Sequence, residues 1–189
     1  MDALQTLLTR TSSPRLCDPP PRGSARERIF RAALRAPDHA RLRPWRFLVV
    51  EGDGLARLGE AMVRATLAAR PDADAQSLEK LAAAPLRAPL VLVLVARTVE
   101  HPKVPLIEQQ LSLACAAHAM LLAAHALGFG GIWRTGNVTY LDALRAELGL
   151  LPTDRVAGFL YLGTPEAAPR EPVAADPADF FLDWPPTGA

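Results

Sequence analysis

Between Pro89 and Ala96 the chain reads Pro-Leu-Val-Leu-Val-Leu-Val-Ala, with no polar side chain at any position. A strand with one wet face alternates apolar and polar residues, so this unbroken run predicts a strand covered on both faces. Material for that cover is plentiful. Half of the 189 residues are hydrophobic, too many for a disordered chain and enough for a sizeable core. The longest helical stretch, Leu106 to Leu127, is nearly free of charge and reads as the central helix. Its many alanines predict close packing on all sides.

The remaining elements follow from periodicity and punctuation. Residues 2–10 predict a short amphipathic helix with Leu4, Leu7 and Leu8 on one face. Cys17 to Gly23 is a proline-rich connector. Ser24-Ala25-Arg26-Glu27 has the form of a capping box, opening a helix to about Leu34 with Ile29, Phe30, Ala33 and Leu34 turned inward. Pro37 ends it, and Pro44-Trp45 leads into a strand over 46–50. Helices are predicted from Asp53 to Ala69, Gln76 to Ala83 and Tyr140 to Leu148, the last with Thr139 as its cap. Val156 to Gly163 is a third strand, and short or tail-borne strands raise the total to four or five. The fold class is α+β: a small mixed sheet surrounded by helices, with a long central helix. Residues 1–189 read as one domain. The segment 164–189 forms an extended tail whose Phe180, Phe181 and Trp184 predict contact with the domain itself or with a partner subunit.

Charge and cysteine usage exclude several classes. With 21 basic and 20 acidic residues, the chain carries no electrostatic footprint for nucleic acid. Cys17 and Cys115 match no metal spacing and make no disulfide framework; Cys115 reads as a small buried packing residue. His118 and His125 stand about 10 Å apart along a helix, too far for a shared metal. Asp2 and the absence of an apolar leader argue against a secretion signal, and Leu111 to Leu127 is at the short limit for a bilayer span. The expectation is a cytoplasmic protein with no membrane partner and no metal.

Chemistry concentrates in three segments. Leu127-Gly128-Phe129-Gly130-Gly131-Ile132-Trp133-Arg134-Thr135-Gly136 sets four glycines around two aromatics and a cation. Glycines without a Cβ let a flat ligand approach the backbone, although the same run also serves as a helix stop with Gly128 as the C-cap. In Arg10-Thr11-Ser12, a guanidinium and a hydroxyl follow the first helix. They can hold phosphate oxygens, or the arginine can simply favour the helix end. In Arg35-Ala36-Pro37-Asp38-His39, a cation closes a helix and His39 offers a donor and an acceptor, available to a ligand or to the local backbone.

Taken in order, these motifs resemble one family. Arg-x-Ser follows the first helix, an Ala-Pro-Asp-His loop and Pro-Trp precede the first strand, and an apolar helix leads to Gly-Phe-Gly-Gly-Ile-Trp. A strand ending Leu162-Gly163-Thr164-Pro165 completes the pattern. It is similar to the flavin-dependent nitroreductases over nearly the whole chain. The resemblance implies a nitroreductase-like FMN-binding fold and a homodimer holding FMN at the subunit interface. It assigns Arg10, Thr11 and Ser12 to the phosphate and ribityl groups. Arg35 and His39 become FMN contacts, often supplied by the partner, and Gly131, Ile132 and Trp133 lie along the ring. A segment for NAD(P) maps to Leu121, Leu122, Ala123, Ala124, His125 and Ala126. The implied activity is ping-pong hydride transfer from NADH or NADPH, through flavin N5, to an electron-poor acceptor such as a nitroaromatic or quinone. No catalytic side chain is implied. The alternative is a non-catalytic flavin carrier or sensor of the same fold. Thr11 stands where relatives often have a second basic residue, which leaves Arg170 as a candidate for the phosphate.

Overall fold

The computed structural model describes residues 2–168 and 170–184. Helices α1 (Ala3–Thr9), α2 (Gly23–Ala33), α3 (Asp53–Ala69), α4 (Ala75–Ala82), α5 (Leu106–Ala126) and α6 (Asp142–Glu147) alternate with strands β1 (Leu16–Cys17), β2 (Trp45–Glu51), β3 (Leu90–Ala96), β4 (Gly130–Arg134) and β5 (Arg155–Pro165). The sheet runs β1-β5-β3-β2, and β4 also pairs with β5. Every ladder among the described residues is antiparallel, which corrects the expected mixed sheet. Leu92 sits opposite Val49 on one side and Leu160 on the other.

The apolar run forms the strand it predicts, and all seven residues of β3 are buried. Leu90, Leu92, Leu94 and Ala96 face a cluster built with α2 and α5. Val91, Val93 and Val95 face a second cluster built with α3 and α6. Each such side chain taken fully out of water contributes about 1.5–3 kcal/mol, so β3 is the strand on which both layers depend.

Local chemistry sets the helix ends. The Asp2 carboxylate accepts from Gln5 N–H at 2.8 Å and opens α1. Asp74 does the same for α4 through Ser77 N–H at 2.9 Å. At the end of α5, Gly128 takes φ +82°. Its N–H donates to His125 O at 3.0 Å, and Phe129 N–H donates to Ala124 O at 2.9 Å. These two bonds make a Schellman stop, which a Cβ at position 128 would strain.

Several expectations need correction. The capping box does not form: α2 begins two residues early, with Arg22 rather than Ser24 as its uncapped N-cap, and Glu27 pairs with Arg31 instead. Leu34 lies at the exposed C-terminus of α2 rather than inside. Thr139 caps nothing; its hydroxyl donates to Gly136 O at 2.7 Å within a 3-10 turn, and α6 starts at Asp142. Half of the glycine-rich run is a strand, β4, because β5 offers it a full ladder.

Helix α5 is not packed on all sides. Leu113, Ala116, Ala117, Met120, Leu121 and Ala124 enter the core. Leu106, Ile107, Leu111 and Cys115 are exposed, so Cys115 is not the buried packing residue it resembles. The reason is one-sided cover: α2, β3 and β4 meet the other face of the helix. Leu4, Leu7 and Leu8 of α1 are likewise uncovered within one chain. By length and composition α5 could cross a membrane, but its inner face packs on the sheet. In the tail, Phe180, Phe181 and Trp184 are exposed.

Candidate functional site

Arg10 closes α1, its N–H donating to Thr6 O at 3.2 Å. Three residues on, Ser13 N–H donates to Gly131 O at 3.1 Å, tying the 11–13 segment to β4. Arg134 Nη2 adds a bond to Pro14 O at 3.2 Å. Two of the three segments singled out by sequence therefore meet. They enclose a cavity of about 180 Å³ walled by Arg10, Thr11, Ser13, Leu121, His125 and residues 128–131. Arg10 Nη1 is buried, with no hydrogen-bond partner among the described residues. A buried guanidinium donor left unpaired is costly, so this arrangement fits an anion better than it fits isolation. A second cavity, of about 360 Å³, shares Ser13 and is lined by Ser12, Arg15, Glu166 and Arg170. Arg170 thus comes to the same side as Ser12.

The glycines of β4 have a different reason from the expected one. A Cβ on Gly130 would meet Leu16 Cδ2 at 2.7 Å and Ser13 Oγ at 2.8 Å. One on Gly131 would meet Leu121 Cδ2 at 2.8 Å. The space is taken by the protein's own atoms, so these glycines let α5 and the 13–16 segment close onto the strand. Beyond them Trp133 is anchored, its indole Nε1 donating to Ala157 O at 3.2 Å. Trp45 is buried in the α2–α5 cluster.

Arg35 and His39 do not join this site within one chain. Arg35 lines a separate cavity of about 660 Å³ with Leu34, Asp38, Arg41, Arg43 and Trp45. His39 Nδ1 lies 2.8 Å from Glu108 Oε2 in an exposed pair. The loop after His39 is strained: Ala40, Arg41 and Arg43 have φ of 60°, 56° and 50°. Asp38 holds it, accepting from Leu42 N–H at 3.1 Å and Arg43 N–H at 2.8 Å. Nothing in the residue types announces this strain.

In the segment assigned to NAD(P), Leu121 and Ala124 are core residues and Ala123 packs against them. Leu121 and His125 also reach the Arg10 cavity, and His125 Nε2 is 3.0 Å from Thr9 Oγ1.

A cleft of about 770 Å³ lies between the end of α3, α4 and β4. Ile132 and Trp133 of β4 line it. Its wall carries Arg70, Arg87 and Arg134 together with Asp72, Asp74 and Tyr161. Burial pushes the Tyr161 hydroxyl above its ordinary pKa, and the nearby Arg134 and Arg87 partly offset that rise. The Arg134 guanidinium stands 5.9 Å from the Tyr161 ring centroid, within cation–π range. Sequence reasoning gave Arg134 no role. Its one signal was being the cation in the glycine-rich run.

The antiparallel sheet, the long α5 and the cationic segment laid along β4 define an established class. The nitroreductase family model matches residues 8–164, and the chain belongs to that family of enzymes. It is 42% identical over 181 residues to "Putative NAD(P)H nitroreductase YdjA" of Escherichia coli strain K12, covering 95% of this chain and 98% of that protein. Among solved structures, the nitroreductase-like family protein from Bacillus cereus superposes with a TM-score of 0.77 at 19% identity, over 97% of this chain and 96% of that one. A nitroreductase with bound FMN from Bacteroides fragilis gives 0.71 at 21% identity, over 97% and 100%.

Proposed function

We propose that this chain is an FMN-dependent, NAD(P)H-oxidising nitroreductase acting as a cytoplasmic homodimer of one domain per chain. The observation that carries the reading is Arg10. Its Nη1 is buried without a hydrogen-bond partner among the described residues, and Arg10 lines the cavity formed where the 10–13 segment meets β4. A dianionic phosphate is the ligand that such a donor suits, with Ser12 and Arg170 as further contacts. Gly131, Ile132 and Trp133 would then flank the ring from β4. When bound, FMN supplies hydride acceptance from NADH or NADPH and delivery to an electron-poor acceptor such as a nitroaromatic or quinone.

The chain's own residues bind and orient. Arg10 and Ser12 fix one end of the ligand, and β4 fixes the plane of the other. The uncovered apolar faces of α1 and α5 support pairing with a second copy. Pairing would bring Arg35 and His39 of one chain toward the cavity of the other, and the tail after Thr164 would lie on the partner.

Purified protein is expected to be yellow after incubation with FMN, and to lose the colour anaerobically on addition of NADH or NADPH. Protein that stays colourless with excess FMN overturns the cofactor reading. Yellow protein that neither nicotinamide bleaches overturns the enzymatic one.

A further inference from the structure

We infer that His125 is the second cation of the phosphate site: it binds the FMN phosphate through Nδ1 and takes up a proton as FMN enters. The inference rests on the FMN reading and adds to it a residue of α5. His125 lines the same cavity of about 180 Å³ as Arg10. Its hydrogen bonds define which ring nitrogen is free. The Thr9 hydroxyl has one hydrogen, which goes to Gln5 O at 2.6 Å. Thr9 Oγ1 is therefore the acceptor toward His125 Nε2 at 3.0 Å, and Nε2 carries a hydrogen. The other nitrogen, Nδ1, has no hydrogen-bond partner among the described residues. In the neutral ring Nδ1 is then a bare lone pair, which repels a phosphate oxygen. In the imidazolium it is a second donor. A phosphate contact at Nδ1 and protonation of the ring are thus one event.

Charge balance favours that event. A phosphate monoester carries close to two negative charges at neutral pH. Among the described residues Arg10 is the one other charged side chain around this cavity: Thr11 and Ser13 bring hydroxyls, β4 brings glycines, and β5 and α5 bring Pro165 and Leu121. Asp2 caps the far end of α1. Helix α2 and strand β3 meet α5 through apolar core side chains. On α2, Arg26 and Arg31 pair with Glu51 and Glu27, and Arg28 is exposed. His125 also stands in the last turn of α5, the negative end of the helix dipole, where a cation is favoured and an unaccompanied phosphate is not. The imidazolium serves both the helix end and the ligand.

The test measures binding of FMN, and of riboflavin, which has the same ring and no phosphate, to the full-length flavin-free chain by fluorescence quenching. His125→Gln should weaken FMN binding about tenfold at about pH 7, the scale of a charge-assisted hydrogen bond, and leave riboflavin binding unchanged. From about pH 7 to about pH 9 the phosphate stays dianionic, and the parent's FMN affinity should fall about tenfold. Its riboflavin affinity, and the variant's affinity for FMN, should stay level over that range. Equal losses for FMN and riboflavin leave His125 only a packing role and overturn the inference, as does an FMN affinity that neither the substitution nor the pH moves. If the variant does not fold, calorimetry of the parent in two buffers of different ionisation enthalpy decides. Proton uptake with FMN and not with riboflavin supports the inference, and no uptake overturns it while leaving the FMN reading intact. A parent protein that binds no FMN removes both.

Discussion

Trp133 and Gly158 exclude each other's side chains: a Cβ at position 158 would collide with the Trp133 indole Nε1. Gly158 takes φ +136° where the β3–β5 ladder shifts register, and the bulge turns the Ala157 carbonyl toward the indole N–H. A bulge on β5 thereby fixes an aromatic on β4, at the strip proposed to flank the flavin. Gly158→Ala should cost about 3 kcal/mol, from backbone strain and overpacking together. Urea unfolding followed by tryptophan fluorescence checks this, and a change below the usual surface range of about 0.5 kcal/mol would show that the indole is not locked there.

Arg10→Ala should weaken FMN retention by about 2–4 kcal/mol, the loss expected for a charge-assisted phosphate contact. Fluorescence quenching titrations of the two proteins measure it. Equal affinities would take Arg10 out of the site.

The Asp154 side chain is fully buried. Its carboxylate accepts from Arg97 Nε at 3.0 Å, from Arg97 Nη2 at 2.7 Å and from Leu151 N–H at 3.0 Å. The Arg97 hydrogen bond lowers the Asp154 pKa below its ordinary value, against the opposing effect of burial. The unfolded chain therefore binds this proton more tightly than the folded one. The resulting stabilisation is fully present above the ordinary carboxylate pKa and is lost as pH falls through the lower, folded value. Asp154→Asn should cost about 2 kcal/mol at neutral pH and flatten the acid limb of the stability profile. Denaturant titrations of both proteins from neutral to strongly acidic pH would expose an acid limb that survives the substitution, which would assign that limb elsewhere.

Leu111 stands on the uncovered face of α5, one turn before the exposed Cys115. Leu111→Glu should convert a dimer to a monomer in analytical ultracentrifugation and weaken FMN binding at least tenfold, since burying an unpaired charge costs several kcal/mol. A thiol reagent should then label Cys115 faster in the variant than in the parent. A variant that still sediments as a dimer would move the subunit contact off this face.

Much of this protein is written in short-range pattern. The Pro89–Ala96 run dictated a strand covered on both faces, and the 53–69 and 106–126 helices follow from periodicity and length. Motif order from Arg10 to Pro165 was enough to name the family, because it depends on residue identity alone. Tertiary structure decided what depends on neighbours far along the chain. Residues 130–134 became a strand only because β5 stood ready to pair, and Gly130 and Gly131 owe their identity to Leu16, Ser13 and Leu121 pressing on them. Sequence could not reveal which side of α5 stays bare, since the helix is apolar all round and only its contacts with α2, β3 and β4 choose the inner face. Nor could it tell that Arg10 and Arg134 each keep a buried donor without a partner among the described residues, for that is a property of the space around two side chains far apart in sequence.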